Sequence, residues 1–208
     1  MPFVFQVGAG ASQDRLEKLI ALRLQPDVDK DEIDARIWNL FGETWAIMFT
    51  DLSGFSRRSA AFGIIHFLQT IYESQRLLVP VIDHYDGILL KMDGDSMMVL
   101  FRSPARAVEC AVSMQHTLKQ YNVGKPDADQ VLLCVGIGYG EMLRIGDTDV
   151  FGPQVNASAR LGEDTAKAYE ILVTDAVRDA IGEHDGMAYE PIDTVPSGAN
   201  SAYRVAYR

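Results

Sequence analysis

Apolar residues recur at helical spacing through residues 13–42, at Leu16, Leu19, Ile20 and Leu24 and, past a break around Pro26, at Ile33, Ile37, Leu40 and Phe41. Positions three and four apart share a helix face, so this spacing predicts two amphipathic helices. From Trp45 the pattern changes. An apolar run over 45–49 predicts a strand, and Asp51-Leu52-Ser53-Gly54-Phe55 turns it into a long helix ending near Tyr85. On that helix Phe62, Ile65, Leu68, Ile71 and Tyr72 form a stripe expected to lie on a sheet. A strand over 87–91, a hairpin at Met92-Asp93-Gly94-Asp95 and a return strand over 97–101 follow. Pro104 opens a second long helix to about Tyr121. Residues 131–139 predict the next strand, with 141–145 pairing back onto it, and a helix follows from about Pro153 to Gly162. A strand at 171–173, a helix to Ile181 and two edge strands near 187–192 and 201–207 close the chain.

From residue 44 the order is strand, helix, strand, strand, helix, strand. This is the split βαβ arrangement of a ferredoxin-like α+β fold, with additional C-terminal strands and a helix. Residues 44–208 therefore predict one domain, preceded over 1–43 by a helical extension whose plainest role is packing or dimerisation. In such a sheet the first and third strands are antiparallel neighbours. The end of the first, at Asp51, then meets the hairpin that starts the third, at Asp95.

Composition narrows the partners. The chain has 208 residues, 48% of them apolar, and 19 Lys+Arg against 29 Asp+Glu give a net charge of −10. That excludes a disordered or fibrous chain and supports a single core. It also counts against nucleic-acid binding through a basic face, because the protein and a phosphodiester backbone repel. Small anionic ligands remain open where metal ions bridge them. Cys110 and Cys134 lie in apolar stretches without CxxC or Cys/His spacing, which predicts reduced, buried thiols and a cytoplasmic location. The opening MPFVFQVGAGAS lacks a basic leader and its apolar run is short, so no signal peptide or membrane span is expected. His66, His84, His116 and His184 have no ligand spacing to each other or to Asp51 and Asp95. Met92, Met97, Met98 and Met114 read as core.

Two carboxylates at one strand end, beside a glycine turn and a helix start, suit hard divalent cations that hold a polyphosphate. The backbone N–H groups of Leu52, Ser53, Gly54 and Phe55 would cradle its phosphate oxygens. Taken singly, an Asp near a turn is ordinary.

Three segments occur in order: FTDLSGF at 49–55, KMDGD at 91–95 and DVFGPQVNASAR at 149–160. Together they resemble the class III nucleotidyl cyclases, in which metal-holding Asp residues sit in FxDxxGF and KxxGD segments and a later segment ends N-x-x-x-R. The resemblance covers about residues 44–208. It implies that Asp51 and Asp95 hold two Mg²⁺ or Mn²⁺ ions, with the Leu52 carbonyl as a further ligand. Lys91 and Asp149 correspond to the pair that reads the purine. A Lys donates to adenine N1 and a carboxylate accepts from the 6-amino group, so the pairing matches adenine and mismatches guanine. Asn156 would orient the ribose and Arg160 would stabilise the pentacovalent transition state. The implied reaction converts ATP to 3′,5′-cyclic AMP and pyrophosphate in a homodimer. There, metals and triphosphate belong to one chain and Lys91, Asp149, Asn156 and Arg160 to the other. Two alternatives stay open: a cyclase for GTP, CTP or UTP, and a catalytically silent nucleotide-binding regulatory module. Residues 91–96 lack the GG[DE]EF hairpin of a diguanylate cyclase. Asp93 is an acid where relatives carry an uncharged residue, and the hairpin within 136–147 is shorter than the arm of many relatives. Arg204 is a candidate for the β- and γ-phosphates, without a motif to fix it.

Overall fold

The computed structural model describes residues 10–54, 62–182 and 187–207. Helices α1 (Ala11–Arg23) and α2 (Lys30–Phe41) form as their spacing predicts, and Asp29 caps α2 by accepting from the Asp31 and Glu32 N–H groups. Leu19, Ile33, Ile37 and Phe41 close a small core with Ile145, while Ile20, Leu24 and Leu40 stay exposed.

The remaining elements, in chain order, are β1 (Gly42–Leu52), α3 (Ile64–His84), β2 (Ile88–Asp93), β3 (Ser96–Phe101), α4 (Pro104–Tyr121), β4 (Leu133–Ile145), β5 (Asp149–Phe151), α5 (Pro153–Ala159), β6 (Ile171–Thr174), α6 (Asp175–Ile181), β7 (Met187–Ile192) and β8 (Ala202–Tyr207). The sheet order is β2-β3-β1-β4-β6-β8-β7, with β5 paired to β4 alone. Its first four strands are antiparallel neighbours, which is the ferredoxin-like core; β6 joins parallel to β4. Strand alternation divides the buried residues. Ala46, Met48 and Leu52 of β1 face the main core with Leu78 and Ile82 of α3 and Met114 of α4, and Trp45, Ile47 and Phe49 face Met142 and Val155 on the opposite side.

Five expectations are corrected. The α3 stripe does not lie on the sheet: Phe62, Ile65, Leu68 and Tyr72 are 49%, 75%, 53% and 67% exposed, and of the stripe Ile71 alone packs on the core. The buried face is instead Phe67, Ser74, Leu78 and Ile82. A helix with apolar residues on two faces does not declare which one the sheet will take. Residues 141–145 are not a return strand but the continuation of β4, which pairs with β1 from Leu133 to Leu143; the hairpin partner is β5, with Asp149 opposite Ile145. Gly140, between the two predicted segments, looks like a turn residue, yet it and Gly138 lie under Gln154, and a Cβ on Gly138 would come within 2.5 Å of the Gln154 carbonyl oxygen. β8 is interior, between β6 and β7, and is not an edge strand. The helix begun at Pro153 passes into a π-helical turn, Arg160–Thr165, that runs beyond Gly162. Met92 is 49% exposed, although Met97 and Met114 are buried as expected.

Both cysteines are buried free thiols. His66 contacts the Ala128 carbonyl oxygen at 2.7 Å and the His116 ring packs at a tilt against Tyr207; His184 lies outside the described residues. Among the described residues no helix is long and apolar enough to cross a membrane.

Candidate active site

The site begins where β1 ends. Thr50 pairs with Met97 of β3, so the β2–β3 turn lies beside the last residues of β1. That turn is tight, with Asp93 opposite Ser96 and Gly94 at φ +58°, a left-handed conformation that favours glycine. It delivers Asp95 to Asp51, as the sheet order predicts. The Asp51 carboxyl is pushed up to about 7, first by burial, then by the Asp95 charge and a hydrogen bond with it, with a smaller contribution from Glu163. Oδ2 of Asp95 is buried and has no hydrogen-bond partner among the described residues. Two half-buried carboxylates that repel one another, one with an orphaned oxygen, form a hard-oxygen donor set fitted to a divalent cation. Among the described residues no three acidic, His or Cys side chains are spaced to cage an ion. Further ligands would come from a backbone carbonyl such as that of Leu52, from water and from substrate phosphates.

This arrangement carries a stability prediction. With a folded-state value near 7 against an ordinary 3.8, Asp51 keeps in the native state a proton that the unfolded chain has lost. Stability therefore falls as pH rises through this window, and the cost is complete above about pH 7. Asp51→Asn should flatten that slope and raise the melting temperature of the metal-free protein at pH 8 by about a few degrees. Thermal melts in chelator at pH 5 and pH 8 read it, and an unchanged slope refutes it.

Next to the pair, the Ser53 N–H donates to the Leu132 carbonyl at 2.8 Å, so it is not free for a phosphate. Leu52 is buried, Gly54 has φ +83°, and Phe55 with the rest of 55–61 lies outside the described residues. Across the ladder from Asp51, the Cys134 thiol is pushed up to about 11 by burial and then by the Asp51 charge.

Lys91 stands on β2 opposite Met98 and, among the described residues, makes no ion pair. It lines a hollow of about 180 Å³ with Phe49, Asp93, Ser96, Met98 and Glu163. Asn156 and Arg160 line an adjoining, larger hollow of about 600 Å³ with Ala159, Glu163, Asp164 and Ser197. Two glycines let α5 and the π turn rest directly on the sheet. A Cβ on Gly136 would meet the Ser158 carbonyl oxygen at 2.2 Å, and one on Gly162 would meet that of Phe49 at 2.8 Å. Arg160 pairs with Asp164 at 2.7 Å, both well exposed.

Glu163 was missed by sequence reasoning. It borders both hollows and has its carboxyl raised by burial and then by Asp164, Asp95 and Asp93. No motif marks it, and a helix ending at Gly162 excludes it; the π turn brings it round.

Two candidates stand apart. Asp149 accepts a hydrogen bond from the Val150 N–H and lies opposite Ile145, whereas Asp51 lies opposite Cys134. The 145 − 134 = 11 intervening steps of β4 correspond to about 35 Å of extended strand, so one chain does not bring Asp149 to Asp51. Arg204 pairs with Glu170 at 2.9 Å and Glu190 at 3.6 Å in a separate hollow, so its charge is already neutralised.

The family model of the adenylate and guanylate cyclase catalytic domain matches residues 42–196. The chain belongs to this family. The cyclase domain is similar to the serine/threonine-protein kinase pkn2 of Myxococcus xanthus, 29% identical over 78% of this chain and 19% of that protein. It is also similar to an adenylate cyclase of Anabaena cylindrica, 28% identical over 63% of this chain and 29% of that protein. It thus spans less than a third of the length of these two relatives. The crystal structure of an adenylate/guanylate cyclase/hydrolase from Silicibacter pomeroyi shares the fold with a TM-score of 0.70 and 23% identity, over 80% of this chain and 98% of that one. Solved structures with this fold include guanylyl as well as adenylyl cyclases.

Proposed function

We propose that this cyclase domain converts ATP to 3′,5′-cyclic AMP and pyrophosphate as a homodimer whose sites are shared between two chains. In the reaction the ribose 3′-oxygen bonds to the α-phosphorus and the bond from that phosphorus to the pyrophosphate oxygen breaks. The observation that carries the reading is the convergence of Asp51 with Asp95, whose Oδ2 is buried and without a hydrogen-bond partner among the described residues.

Asp51, Asp95 and the Leu52 carbonyl would hold two divalent cations, Mg²⁺ or Mn²⁺, which when bound lower the pKa of the 3′-hydroxyl and neutralise charge on the leaving pyrophosphate. Gly54 and Phe55 would lend backbone N–H groups to the triphosphate. Arg160, released from Asp164, would face the charge that builds on the α-phosphoryl oxygens, where a fixed cation acts in the transition state more than in the ground state. Asn156, one helical turn away on the same hollow, would hold the ribose so that its 3′-oxygen lies in line.

Lys91 would donate to adenine N1 and Asp149 would accept from the 6-amino group. Guanine offers a hydrogen at N1 and an acceptor at position 6, so both contacts fail with it. The pairing of Lys91 with Asp149 on one base rests on the resemblance: in the sheet Lys91 shares a row with Met98, Phe49 and Gly136, and Asp149 lies opposite Ile145, nine steps along β4. Lys91→Glu should lower kcat/KM for ATP by about 10- to 100-fold, the effect of a lost charge-assisted hydrogen bond and a reversed charge, with a smaller effect on GTP. Unchanged ATP kinetics would overturn the assignment of the base contacts.

A further inference from the structure

Gln154, the second residue of α5, is bonded at both ends of its amide. Its Oε1 accepts from the Tyr139 N–H on β4 at 3.2 Å and from the Thr174 hydroxyl at the end of β6 at 2.8 Å, and its Nε2 donates to the Gly198 carbonyl at 2.8 Å. A backbone donor on one side and a backbone acceptor on the other fix which way the amide points. Its own carbonyl oxygen accepts from the Ser158 hydroxyl at 2.8 Å, one turn further along.

The surroundings are cut to fit this residue. A Cβ on Gly138 would come within 3.1 Å of Oε1, and a Cβ on Gly140 within 3.1 Å of the Gln154 side chain. Gly198 has φ +101° and its α-carbon faces the first residue of α5, so that an added Cβ would lie 2.3 Å from the Pro153 carbonyl oxygen. The 196–199 turn, closed by the Ala199 N–H donating to the Pro196 carbonyl, carries Ser197 into the hollow that Asn156 and Arg160 line. From the other side Asn200 donates twice to Asp175 of α6, at 3.2 and 2.9 Å. Thr174 is fully buried, so its hydroxyl depends on Gln154 for an acceptor.

We propose that Gln154 is a positioning residue of the cyclase reaction. Its amide locks α5, and with it Asn156 and Arg160, against β4, β6 and the 196–199 turn. This rests on the roles proposed above for Asn156 and Arg160. Glutamine is the side chain of suitable length that supplies two accepting lone pairs and a donor together. Glutamate keeps the accepted bonds and sets a charge against the Gly198 carbonyl; methionine keeps the length and loses every bond.

The test uses the full chain. Gln154→Met should lower kcat by about 10- to 100-fold while KM for ATP changes by no more than about twofold, because displaced transition-state groups cost rate rather than ground-state binding. Gln154→Glu, the safer variant for folding, should show a smaller loss of the same kind. Mixed dimers locate the lesion. Gln154→Met paired with Asp51→Ala should recover activity to the level of a control pair, Arg160→Ala with Asp51→Ala, whereas Gln154→Met paired with Arg160→Ala should not recover. Wild-type kcat in Gln154→Met overturns the proposal. So does an activity loss that merely follows a loss of folded protein in thermal melts, or failure of the Asp51→Ala pairing while the control pair recovers. If the control pair itself fails, the shared-site reading falls, and the split between kcat and KM in Gln154→Met alone decides the role of Gln154.

Discussion

Alanine at position 51 should remove turnover, by at least about a thousandfold in kcat, and leave the fold intact. Metal-assisted stabilisation of transition-state charge amounts to several kcal/mol, and each 1.36 kcal/mol is tenfold in rate. Asp51 contributes to the fold mainly by its backbone: it pairs with Cys134 of β4 just past the end of the β1–β3 ladder, and the neighbouring Leu52 is the buried side chain. Removing the carboxylate also removes its repulsion with Asp95, so the inactive variant should melt at or above the wild-type temperature in chelator. Steady-state kinetics beside thermal melts check both halves. Substantial activity in Asp51→Ala would show that the chemistry does not depend on this pair.

The second large effect is Arg160→Ala, expected to lower kcat by about 100- to 1,000-fold, as loss of a transition-state donor does. Its ground-state partner is the exposed Asp164, so little stability is lost with it. Mixing Arg160→Ala with Asp51→Ala chains should then restore activity that neither has alone. Equal mixing puts half the dimers in the mixed state with one intact site of two, about a quarter of wild-type activity for a symmetric dimer. No recovery in a sample shown to contain mixed dimers would mean that each chain builds its own site.

Much of this was legible in the chain. Alternation and helical spacing gave the order of elements, and strand order alone predicted that Asp51 and Asp95 meet, because antiparallel neighbours bring a strand end to a hairpin. What escaped has physical reasons. The buried face of α3 is not legible, because apolar residues occupy two faces of that helix and hydrophobicity carries no phase relative to the sheet. β4 reads as two strands because Gly140, between 131–139 and 141–145, has the look of a turn, while its small size serves a contact with Gln154 fourteen residues away. Glu163 was invisible because a π turn shifts the helical phase that places it beside Asp95. Gln154 belongs to no motif, since its partners Tyr139, Thr174 and Gly198 are set by tertiary packing.

The most direct measurement is product analysis by chromatography and mass spectrometry after incubating the purified chain with Mn²⁺ and ATP, GTP, CTP or UTP in turn, beside Asp51→Ala. Cyclic AMP and pyrophosphate from ATP alone, absent with Asp51→Ala, is the predicted result. A cyclic product from another base in place of ATP would contradict the roles of Lys91 and Asp149, and no cyclic product from any of the four would contradict the proposed activity of this chain.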